Sequence, residues 1–305
     1  MPTQDEKGQA FRALHERDHA FIIPNPWDVG TAWILAHLGF EALATTSMGY
    51  AFSAGQRDNT IERHQMMDHL AAIAAATDLP VNADLENGFG DPPEIVAETI
   101  RLAAAAGVVG GSIEDSTVRP DQPIYDLQFA AERVRAAAEA VRALPFPFTL
   151  TGRAENYLHG RPDLKDTITR LQAYQEAGAD VLYAPGLTSK DDIAAVVSSV
   201  DRPVNVVMGL QGVQLSLEDL SALGVKPSAS EARSAGPLSA PFFVRPGRCA
   251  STALSPSPRM PRALGRSAPC SSQWHRIGLW RIQHRPLIVA PWQLSHQRYD
   301  FLFGP

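Results

Sequence analysis

The sequence predicts a parallel α/β fold closed into a (β/α)8 barrel whose eighth strand and last helices are lost. Three observations carry this. Short apolar strand patterns alternate with helical patterns throughout residues 21–225, the order that builds a parallel sheet. The strands carry small or polar side chains on one face, as a barrel interior requires. No Gly-rich phosphate fingerprint opens the first unit, as it would in a dinucleotide-binding open sheet. A doubly wound open sheet remains the alternative.

Strand patterns fall at residues 21–24, 42–46, 81–84, 112–114, 149–152, 181–184 and 204–207. A helix is expected to open at Asp91-Pro92-Pro93-Glu94, with Asp91 as N-cap, Pro92 at the first helical position and Glu94 as the reciprocal cap. Gly107 ends it after the run 102–106. Ala-rich helices follow at 126–143 and 164–177, the second closing at Gly178. A last helix and turn at 217–225 should deliver the eighth strand.

The eighth strand does not follow. Residues 227–305 hold 10 Arg, no Lys, and only Glu231 and Asp300 as acids, a net of +8. Residues 1–226 hold 17 basic and 31 acidic residues, a net of −14. Codons compatible with the run from Pro227 to Gly236, read from their third base, also permit Val-Ser-Val-Gly-Ser-Ala-Leu-Gly-Arg, a strand and a turn. The expectation is a barrel domain at 1–226 and, after a one-base frameshift near codons 226–227, an out-of-frame, disordered tail at 227–305. A natural disordered extension is the alternative.

Composition bounds the function. A net charge of −6 argues against nucleic acid as partner, and no apolar run approaches a membrane span. Cys249 and Cys270 are the only cysteines, so no disulfide framework or Cys-rich metal site is expected. The N-terminus lacks a secretory pattern, which gives a cytoplasmic expectation.

The chemistry gathers at strand ends. Alternation puts Asn82, Asp84 and Glu86 on one face. Ser112 and Glu114 follow on the next strand, then Thr149, Thr151 and Arg153. Acid, acid and base at successive strand ends describe an active-site rim. Like-charged carboxylates there call for an oxygen-seeking divalent cation.

From about Phe21 to Val225 the chain resembles the isocitrate lyase/phosphoenolpyruvate mutase superfamily. The resemblance is carried by Asn25-Pro-Trp-Asp28, Thr45-Thr-Ser-Met-Gly49 with Asp58, Asp84-Leu-Glu-Asn-Gly-Phe-Gly90, Ile113-Glu-Asp115 and Thr151-Gly-Arg153-Ala-Glu-Asn156. It implies a Mg²⁺-dependent (or Mn²⁺-dependent) enzyme cleaving or forming C–C or C–P bonds of 2-oxo acids through an enolate-like intermediate. Asp84 matches the direct metal ligand, and Glu86, Glu114 and Asp58 would act through bound water. Arg153 and Glu114 would be catalytic. Ser47, Met48 and Gly49 would hold the substrate carboxylate, with Arg153, Glu155 and Asn156 orienting substrate and Trp27 and Asp28 as weaker candidates. The family also implies a homotetramer that exchanges its last helix between subunits, an exchange the altered C-terminus would impair.

One loop departs from the best-known members. Ser116 to Tyr125 lacks the acid/base Cys of isocitrate and methylisocitrate lyases, and Gln122-Pro123 stands where phosphoenolpyruvate mutases carry Asn-Ser. A lyase or decarboxylase of another small oxo- or hydroxy-acid is therefore expected, with this loop as a lid. The alternatives are C–P chemistry or a catalytically inactive remnant.

Overall fold

Strands buried on both faces, one apolar and one small or polar, form the centre of the protein. The computed structural model describes residues 1–208, 215–223 and 225. Its strands are β1 Leu43–Ala44, β2 Val81–Asp84, β3 Gly110–Glu114, β4 Thr149–Arg153, β5 Val181–Tyr183 and β6 Val204–Asn205. Its helices are α1 Gln4–His15, α2 Val29–His37, α3 Ser47–Ser53, α4 Arg63–Ala76, α5 Pro93–Ala105, α6 Leu127–Arg142, α7 Leu164–Ala177, α8 Lys190–Ser198 and α9 Leu217–Ala222.

The strands are parallel and pair in the order β1-β2-β3-β4-β5-β6. A doubly wound sheet would reverse direction at a switch point. This one runs on in chain order, as a barrel wall does, so the open-sheet alternative is excluded. Residues 21–24 do not form the expected strand, although the Ala44 N–H donates to the Pro24 carbonyl at 3.1 Å, beside β1. The eighth strand and the 227–305 tail lie outside the described residues.

Helix ends follow local chemistry. Asp126 and Asp163 accept from Phe129 N and Asp166 N and so cap α6 and α7. Gly178 ends α7 at φ +110°, where a Cβ would be strained. Asp91 does not cap α5. Pro92 takes that position, and the Asp91 carboxylate accepts from Tyr125 and Arg119 instead.

One apolar layer packs the strands against the surrounding helices, Leu70, Ile73, Ile100, Val134, Leu171 and Ile193 among them. A second cluster joins Phe11 and Leu14 of α1 to Phe21, Ile23, Ala42, Ala44 and Val109. A Cβ on Gly110 would lie 2.9 Å from the Phe11 ring, so α1 packs closely across the N-terminal ends of the strands. The opposite, C-terminal ends are left for chemistry.

Candidate active site

Asp84 closes β2, and its backbone N–H donates to Thr45 Oγ1 at 2.9 Å. Its Oδ2 accepts from both the backbone N–H and the hydroxyl of Ser47, each at 2.9 Å. The strand stops there, and Glu86, Gly88 and Phe89 all take positive φ. Simple alternation therefore does not place Glu86. A left-handed turn at φ +48° brings its carboxylate back toward Asp84.

Register does the rest. Glu114 pairs with Arg153, and Arg153 with Tyr183, across adjacent strands. The Arg153 guanidinium is 1% exposed and contacts three acids: Glu155 at 2.9 Å, Glu114 at 3.2 Å and Asp84 at 3.3 Å. It also lies over the Tyr183 ring, 5.0 Å from the centroid. Burial would lower its pKa, yet Glu155, Glu114 and Asp84 together hold it well above the usual value.

This guanidinium does not offset the charge on Glu86. Burial first, then Asp84 and Asp58, push the Glu86 carboxyl up to about 8, with Arg153 opposing. Glu86 Oε1 is buried without a hydrogen-bond partner. These features fit a divalent cation, which would bring positive charge beside Glu86 and a partner for that oxygen. Among the described residues no three His, Cys, Asp or Glu side chains converge as ligands. Mg²⁺ does not ask for this, since it takes one or two carboxylates and keeps several waters.

The expected carboxylate-binding loop begins α3. The Ser47 N–H is engaged by Asp84, and the Gly49 N–H donates to the Thr46 cap at 3.2 Å. Of the three expected donors this leaves the Met48 N–H in the first turn. Gly49 allows no side chain, because a Cβ would sit 2.5 Å from the Trp27 ring and from Thr46 Cγ2. Trp27 thus supports the loop. Asp28 is the exposed N-cap of α2, accepting from Thr31 N at 2.7 Å. Asp58 is half-buried and close enough to act on Glu86. Asn156 is buried, with its amide nitrogen donating to Asp166 at 2.6 Å and its Oδ1 unpartnered.

The roles of the residues behind this shell were not anticipated. Asp115 accepts from Glu155 N at 2.8 Å, Tyr174 OH at 2.6 Å and Arg170 at 2.9 Å, fixing the backbone that carries Glu155. Arg133, 1% exposed, donates to the carbonyls of Asn87, Gly90 and Asp91 and lies 4.3 Å over the Tyr125 ring. It ties down the turn that follows Glu86. Helical periodicity along α6 offered a buried-face signal for Arg133, which shares a face with Ala130, Val134 and Ala137, but an Arg between Glu132 and Arg135 reads as surface charge. The 116–125 loop folds back on itself through a Ser116–Ile124 bridge.

Residues 11–228 match the family described as phosphoenolpyruvate phosphomutase. A crystal structure from Burkholderia cenocepacia, assigned as a lyase or mutase, is 67% identical with a TM-score of 0.73, covering 74% of this chain and 81% of that one. The 2-methylisocitrate lyase of Halalkalibacterium halodurans is 26% identical over 250 residues, 75% of this chain and 81% of the relative. A phosphonopyruvate hydrolase crystallised with oxalate and Mg²⁺ is 25% identical with a TM-score of 0.67, covering 75% of this chain and 80% of that one.

Proposed function

The chain belongs to the phosphoenolpyruvate phosphomutase family, among the lyases of the isocitrate lyase/phosphoenolpyruvate mutase superfamily, and from that premise we propose that it is a Mg²⁺-dependent lyase or decarboxylase. Its substrate is a small 2-oxo or 2-hydroxy acid, cleaved at a C–C bond through an enolate-like intermediate. The observation that carries this reading is the Glu86 carboxyl, raised by burial, Asp84 and Asp58 and left with a buried unpartnered oxygen, beside the Arg153 cluster at the strand ends.

Asp84 would hold the cation directly, with Glu86, Glu114 and Asp58 reaching it through water. The cation, when bound, offsets negative charge developing on the substrate oxygen. Arg153 adds a fixed positive charge at the same place, held in orientation by Glu155 and Tyr183. Glu114 is the most accessible of Arg153's three acids, with its side chain 11% exposed, and is placed to hold or pass a proton. The first turn of α3, through the Met48 N–H, receives the substrate carboxylate, and Asn156 Oδ1 offers an acceptor to a substrate hydroxyl. The 116–125 loop closes over the site and excludes water. C–P cleavage is the second reading, supported by the hydrolase relative and opposed by Gln122-Pro123.

A panel of 2-oxo and 2-hydroxy acids, assayed for pyruvate or CO₂ release with Mg²⁺ and with chelator, tests the proposal. Turnover of one panel member that needs the metal and disappears in Asp84→Ala is expected. Turnover indifferent to both would overturn it.

A further inference from the structure

A second charged cavity lies at the other end of the sheet. It has a volume of about 530 Å³ and is lined by Arg12, Arg142, Arg202, Asp180 and the segment from Leu144 to Phe148. Phe148, Asp180 and Arg202 sit just before β4, β5 and β6, whereas Asp84, Glu114 and Arg153 close their strands at the far ends. The cavity is therefore separate from the candidate active site.

Its electrostatics are the reverse of that site. Three exposed guanidiniums converge from α1, the last turn of α6 and the loop before β6, against one carboxylate. Among the described residues none of the three forms an ion pair. Asp180, whose Oδ2 accepts from Leu150 N at 2.9 Å, feels both Arg202 and Arg12, yet one carboxylate against three guanidiniums leaves the cavity with excess positive charge. The wall Pro145-Phe146-Pro147 is stiff, because each proline fixes its own φ. A preformed apolar wall beside forked guanidiniums suits a ligand that joins a flat or apolar group to clustered anionic oxygens.

We propose that this cavity is a binding site for a phosphate ester of that form. Such a site would act apart from catalysis, as an effector site. Equilibrium titration of the full chain with ATP, pyrophosphate and adenosine tests it, followed by repetition with R142Q/R202Q and with R142K/R202K. Saturable ATP binding, weaker pyrophosphate binding and no adenosine binding are expected. The Gln pair should lose at least about tenfold in affinity and the Lys pair less, since a point charge replaces a fork. Both pairs change exposed side chains, and an unchanged thermal melt verifies their folding. Absence of saturable binding, or binding equal in the Gln pair and the parent, would refute the site. Binding of pyrophosphate as tight as ATP would refute the role of the apolar wall.

Discussion

Arg153 carries most of the electrostatic strain at the residue scale. It sits among three carboxylates with its side chain 1% exposed. Replacing it by Met removes the guanidinium that three buried acids contact, and breaking such a cluster costs about 3–5 kcal/mol. Thermal unfolding of Arg153→Met should show that loss, with part of it restored by Mg²⁺; an unchanged melt would mean the acids do not need the guanidinium. Glu86 gives a pH signature. Its carboxyl is pushed up to about 8 from 4.5, so the metal-free folded chain keeps a proton that the unfolded chain has released. Stability should therefore fall as pH rises between those values. Chemical denaturation across pH 5 to 8 without metal should reveal the fall, and Glu86→Gln should flatten it. An equal slope in parent and variant would remove Glu86 as its source.

Elements explain how those residues meet. Asp84, Glu114 and Arg153 were legible because alternation within a strand and neighbouring strand ends fix their side. Glu86 was placed beside Asp84 by simple alternation, an incomplete reason, since its turn at φ +48° is a backbone choice no periodicity reveals. The first strand was not legible as such, because residues 21–24 run beside β1 with the pattern of a strand but without its pairing. Arg133, Tyr183 and the bracing role of Asp115 were missed for one reason: they act on the site through contacts distant in sequence. Gly49→Ala should test the α3 turn, because its Cβ would meet Trp27 and Thr46 at 2.5 Å. Overpacking of this kind costs about 1–3 kcal/mol. Differential calorimetry should show the loss, together with a raised KM for the substrate; wild-type values for both would show that the turn adjusts freely.

At the scale of the whole molecule, the family match ends at residue 228, beside the break in charge and composition at 226–227. We read residues 227–305 as the product of a one-base frameshift, and sequencing the gene across codons 220–235 should find the base that restores the eighth strand. An unaltered sequence would make the tail a natural part of the chain. The central claim concerns the described barrel wall and is tested most directly by Mn²⁺ titration followed by electron paramagnetic resonance. The account predicts one Mn²⁺ per chain, tightened by oxalate as an enolate mimic, and weakened in Asp84→Asn by on the order of 100-fold. Equal Mn²⁺ binding by the parent and Asp84→Asn would contradict it.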